Sequence, residues 1–153
     1  MQWTATISTA LGAFIGVAST LAADRVRWRR DVSERDRDGL RGIYAEFLDA
    51  LNSARAVITE ANRASGDDRG ERIAAARNAI AGRGVYTKRY QLELTAPEPV
   101  VTQTVLTVNR LIAVREAVVN TTTDSPEYLA AYAEFRQART TLLRVMRTSL
   151  NRK

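Results

Sequence analysis

Hydrophobic and polar positions alternate along this chain in blocks of different kinds. From Gln2 to Ala23 no residue is charged. From Leu40 an apolar series runs through Leu40, Tyr44, Phe47, Leu51, Ala54, Ile58 and Ala61. Those steps alternate between four and three, which keeps every one of them on a single face of an α-helix. The stretch "RASGDDRG" at 63–70 has two glycines, a serine and adjacent acids, and predicts the turn that ends this helix. A second helix is predicted over about 70–94, with Ile73, Ala76, Ile80, Tyr86, Tyr90 and Leu94 inward and a kink at "GRG" 82–84. "LTAPEPV" breaks the pattern. Thr95 and Glu98 have the spacing of a capping box, and prolines suit a first turn. The third helix is predicted over about 97–120, with Val101, Val105, Val108, Ile112 and Val119 inward. Asp124 or Ser125 caps the last helix, Pro126 lies in its first turn, and Tyr128, Leu129, Tyr132, Phe135, Leu142, Leu143 and Met146 line one side. Short turns between four helical segments predict an all-α fold, an antiparallel up-down bundle over 39–153.

The uncharged block at the start is of a different kind. Its roughly 22 residues match the roughly 20 that a helix needs to cross the hydrocarbon core. Trp3 and Trp28 bracket it at a helical separation of about 37 Å, which suits the two interfaces. Arg25, Arg27, Arg29 and Arg30 crowd its C-terminal end, whereas only the terminal amine precedes it. The positive-inside rule then sets the N-terminus outside and the remainder in the cytoplasm, so residues 1–23 read as a transmembrane anchor in the inner membrane. A cleaved signal peptide would carry its positive charge before the apolar core instead. Within the span Ser8, Gly12, Gly16 and Thr20 recur every fourth residue and make a small-residue face of the kind that lets helices approach closely in lipid.

Residues 24–38, "DRVRWRRDVSERDRD", have few apolar positions and place opposite charges at helical spacing: Arg27 with Asp31, Arg30 with Glu34, Asp31 with Arg35. This is the pattern of a solvated helical stalk. Its basal arginines also suit the anionic lipid of the cytoplasmic face. Gly39 and Gly42 mark an expected bend where stalk meets bundle.

Composition narrows the chemistry. Hydrophobic residues at 45% against 26% charged indicate a folded chain and not a disordered one. The absence of cysteine and histidine removes thiolate nucleophiles, the commonest general base and the usual zinc ligands. No phosphate loop is present, because "GRGVY" lacks the Lys-Ser/Thr ending. The pattern therefore gives no catalytic residue, no cofactor, no metal site and no small-molecule substrate. Arg115 and Arg139 fall near apolar stripes. An arginine so placed either meets an anion within the bundle or lies at the stripe's edge with its head in water, and the second is the expectation. The net charge is +6, and the chain closes on Arg136, Arg139, Arg144, Arg147, Arg152 and Lys153 with no acid after Glu134. A solvated face next to the helix C-terminal dipole accounts for that run.

In the order of these pieces the chain resembles a broad group of small actinobacterial membrane proteins of unassigned function. The resemblance rests on "DRVRWRRD", "IYAEFLDAL", "YQLELTAPEPV" and "AYAEFRQARTTLLRVMR". The anchor and stalk alone are similar to those of plasmid-spread, Kil-type proteins. The resemblance implies a short span, an arginine-rich exit and a cytoplasmic helical region, and no active site.

The expected function is a non-enzymatic, membrane-anchored adaptor or scaffold. Its bundle, held together along the seam Leu40, Tyr44, Phe47, Leu51 and Ile58, presents a helical surface to a protein partner or a second copy. The alternative is an accessory of plasmid or phage DNA transfer that binds nucleic acid through the basic C-terminal helix. The small-residue face yields a direct test. Gly12→Leu with Gly16→Leu is expected to shift the detergent-solubilised protein toward monomer in sedimentation equilibrium, and an unchanged monomer–dimer balance contradicts the face.

Overall fold

The computed structural model describes residues 35–64, 68–121 and 125–151. The chain's contacts divide it into Met1–Gly39 and Leu40–Lys153, and the bundle is the second unit. Every regular element among the described residues is a helix. Helix α1 covers 35–63, α2 Asp68–Gly82, α3 Val85–Thr95, α4 Glu98–Asn120 and α5 Pro126–Asn151. Helix α1 runs through Gly39 and Gly42, where a bend was expected. A β-carbon at either glycine would meet only open space, so neither marks a close approach.

The directions of the helices follow from contacts between them. Arg72 at the start of α2 pairs at 2.6 Å with Glu60 near the end of α1, and Lys88 of α3 pairs with Glu46 near the start of the bundle's α1. The α2–α3 limb therefore returns along α1. Gln103 near the start of α4 donates to the Ala138 carbonyl at 3.0 Å, and Arg110 further along reaches Glu134 at 2.7 Å, so α5 runs back along α4. Tyr44 on α1 bonds the Ser149 hydroxyl at 2.9 Å, which brings the end of α5 to the start of α1. The result is an up-down arrangement of four limbs, the second broken into α2 and α3.

The break is made by Gly84, whose φ of 70° lies in the left-handed region that favours glycine. It shifts the helical phase. Ala76 and Ile80 are buried on α2, but beyond the break the buried residues are Val85 and Leu92. Tyr90 and Leu94, expected inward on an unbroken helix, are instead 56% and 85% exposed.

Helix α4 is the central element. It packs most extensively on α5 and also touches α2 and α3. Its buried stripe is Val100, Thr104, Thr107, Val108, Leu111, Val114 and Val118. The face expected from valine and isoleucine alone was rotated by about one residue. Val101, Val105, Ile112 and Val119 are only half-buried, because threonines occupy two inward positions. The Thr107 hydroxyl donates to the Gln103 carbonyl at 2.7 Å, whereas the buried Thr104 hydroxyl has no hydrogen-bond partner among the described residues. On α5, Tyr128, Phe135, Ala138, Leu142 and Met146 are buried, and Leu129, expected inward, is exposed. Ser125 caps α5, its hydroxyl accepting the Tyr128 amide at 3.1 Å, with Pro126 as the first helical residue.

Two substitutions test this packing in opposite directions. Thr104→Val keeps the shape and removes an unpaired buried hydroxyl, so it is expected to stabilise the full-length protein by about 1 kcal/mol. Gly84→Ala forces a side chain into the left-handed region and is expected to destabilise by about 1 kcal/mol. Urea unfolding followed by circular dichroism measures both, and a destabilising Thr104→Val contradicts the burial assigned to that hydroxyl.

Candidate functional site

The corner between α3 and α4 is built from residues that cannot continue a helix. Pro97, extended at φ −61° and ψ 146°, sits at the N-cap of α4 and supplies no side-chain cap. Thr95 turns back, its hydroxyl donating to the Gln91 carbonyl at 2.9 Å, so the capping box expected between Thr95 and Glu98 does not form. The Val100 amide instead bonds the Pro97 carbonyl at 2.9 Å. Pro97, Pro99 and Val100 make one wall of a depression of about 350 Å³, and Arg144, Val145 and Thr148 of α5 make much of the other. Ser149 closes that wall and is tied to α1 through Tyr44. The depression is lined largely by apolar side chains with one cation at its edge. Leu94 lies three residues before Pro97, and the ring of Tyr90 carries the Arg89 guanidinium 5.1 Å from its centroid. Both large side chains are turned outward by the phase shift at Gly84.

A second depression, about 300 Å³, lies where α1 meets α5 and has the opposite character. Asn52 and Arg55 come from α1, and Tyr132, Arg136, Arg139 and Thr140 come from one face of α5. Fully buried Phe135 also borders it. Arg55 donates to the Tyr132 hydroxyl at 3.3 Å. Among the described residues no carboxylate lines it. The Arg139 Nε is buried and has no acceptor among the described residues. Arg139 thus departs from the expected solvated arginine in one atom at least. Arg115 behaves differently and pairs with the adjacent Glu116.

The seam residues Tyr44, Phe47, Leu51 and Ile58 are buried in the core, and Leu40 is half-buried against it. They pack α1 into the bundle, as a seam does. The expected interface residues Trp3, Arg25, Arg27, Trp28, Arg29 and Arg30 lie outside the described residues. So do the small-residue positions Ser8, Gly12, Gly16 and Thr20, and the ion pairs expected in the stalk. Among the described residues no helix is long and apolar enough to cross a membrane. Among the same residues no group of three His, Cys, Asp or Glu side chains is placed to hold a metal ion.

Sequence periodicity did not single out the groove at 97–100 or the contribution of Arg55. The prolines were visible, but the turn of Leu94 outward depends on the backbone of Gly84, and Arg55 gains its setting only when α5 is laid against α1. Comparison with protein-family models, with curated proteins and with solved structures finds no match to this chain. The resemblance in the order of its pieces therefore carries no site residue to it.

Proposed function

We infer that the chain is a membrane-anchored helical adaptor that holds a cytoplasmic bundle at the inner membrane and docks a helical protein partner or a second copy of itself. Residues 1–23 serve as the anchor with the N-terminus outside, and 24–38 as the stalk. The uncharged block and the arginines that follow it support that half of the reading. The observation that carries the docking half is the α3–α4 corner. There an 85% exposed leucine precedes an apolar groove walled by Pro97, Pro99, Val100 and Val145. Large apolar side chains held outward on a rigid, proline-edged corner suit the apolar face of a helix better than they suit water. Arg144 at the rim favours an acidic residue on whatever binds.

Photo-cross-linking tests this. A photoreactive residue in place of Leu94, in the full-length protein in native membranes, is expected to give one or two discrete protein adducts. The same residue at exposed Ala74 on α2 is expected to give none. Adding Val145→Asp is expected to cut the Leu94 adducts at least fivefold. Equal adduct yield from both positions, or none from either, contradicts the docking role.

A further inference from the structure

We propose that the basic depression between α1 and α5 is a binding site for a phosphomonoester dianion, held by Arg55, Arg136 and Arg139. The site is independent of the apolar corner and of the adaptor reading.

Residues 132, 136, 139 and 140 are separated by four, three and one positions, so Tyr132, Arg136, Arg139 and Thr140 share one face of α5. Asn52 and Arg55, three apart on α1, face them across the gap. Three guanidinium groups thereby border one cavity of about 300 Å³ with no carboxylate among its lining residues. Five cations elsewhere in the bundle are paired. Arg72, Lys88, Arg89, Arg110 and Arg115 each meet a glutamate. Like charges confined together repel, and a bound anion relieves that repulsion.

The donor set indicates which anion. A guanidinium presents a planar fork that matches the oxygens of phosphate. The Arg139 Nε is a buried donor without an acceptor, and a buried polar group of this kind ordinarily finds a partner. The Asn52 amide and the Tyr132 hydroxyl add neutral donors for the remaining oxygens, whereas the Thr140 hydroxyl is already given to the Arg136 carbonyl at 3.0 Å. Arg55 is already held toward the cavity by its bond to Tyr132. A monocarboxylate would leave most of these donors idle and balance one of three charges. A phosphomonoester brings three terminal oxygens and a charge between −1.5 and −2 near neutrality. The cavity is also roomy enough for a small organic group beyond the phosphate, against the half-buried ring of Tyr132.

The test is isothermal titration calorimetry on the full-length protein in a neutral detergent at low ionic strength. The probes are glycerol 3-phosphate, inorganic phosphate, a duplex DNA, and phosphatidylglycerol, whose phosphate is a diester, in mixed micelles with the detergent. Glycerol 3-phosphate is expected to bind at a single saturable site, at least as tightly as inorganic phosphate. Arg139→Gln and Arg55→Gln are each expected to weaken it tenfold or more, and Arg139→Lys to restore only part of the loss. Arg136 is exposed, so Arg136→Gln provides the same test with the core untouched should a half-buried substitution unfold the chain. Arg147→Gln removes an exposed charge from the same helix outside the cavity and is expected to change affinity less than twofold. No saturable binding overturns the proposal. An equal loss with Arg147→Gln also overturns it, because the attraction would then be diffuse. Phosphatidylglycerol binding that Arg139→Gln weakens tenfold or more, with no response to glycerol 3-phosphate, would overturn the proposal and make the surface a lipid contact. Binding of duplex DNA that glycerol 3-phosphate fails to displace would make it a nucleic-acid surface.

Discussion

The bundle depends on the buried stripe of α4. Its residues, from Val100 to Val118, recur at steps of three and four along a helix of 23 residues, about 34 Å long. One face of that helix meets α5 along its length, and the same element touches α2 and α3. Interiors are packed to near-crystalline density, so a central helix with a fixed inward face dictates which residues of its neighbours can be buried. Phe135, Leu142 and Met146 of α5, Leu92 of α3 and Ile80 of α2 are buried in consequence. The polar members of the stripe restrict it further. Gln103 reaches the Ala138 carbonyl across the interface, so the two longest described helices past residue 68 are held by a directional bond as well as by apolar contact.

This stripe was also the hardest part of the fold to read from residue types. Helix α1 was legible because its inward residues are large and apolar and its other faces are charged. Valines lie on nearly every side of α4, and two threonines occupy inward positions, so apolarity alone picked a face rotated by one residue. A threonine can serve inside a helix bundle because its hydroxyl can return to the preceding turn, as Thr107 does. The α2–α3 limb misled for another reason. "GRG" was visible as a weak point, but a kink keeps helical phase, and the left-handed residue Gly84 does not. One backbone angle thus decided that Leu92 is buried and Leu94 exposed. The helix boundaries at Pro97 and Pro126 were legible because proline restricts φ and lacks a donor. The cap of α5 was legible as Asp124 or Ser125, and the structure settles it on Ser125.

Both candidate sites arise where that packing leaves α5 incompletely covered. Near its C-terminal end, α5 meets the proline-edged start of α4 and leaves a mostly apolar groove. Nearer its start, it meets α1 and leaves a cavity bordered by three arginines. Neither was legible from one segment, because each needs two helices brought side by side. The basic C-terminal run was visible in the sequence. The structure divides it: Arg136 and Arg139 border the α1–α5 cavity, Arg144 rims the apolar groove, and Arg147 is exposed away from both. The basic run thus resolves into positions of different surroundings.

The central claim is that this bundle works while tethered to the inner membrane by residues 1–23. It is tested most directly by protease accessibility of a C-terminal tag after an alkaline wash, in intact spheroplasts and in inverted membrane vesicles. The account predicts that the protein stays with the washed membrane and that the tag is cleaved only in the inverted vesicles. Release by the wash, or cleavage on intact spheroplasts, would contradict it.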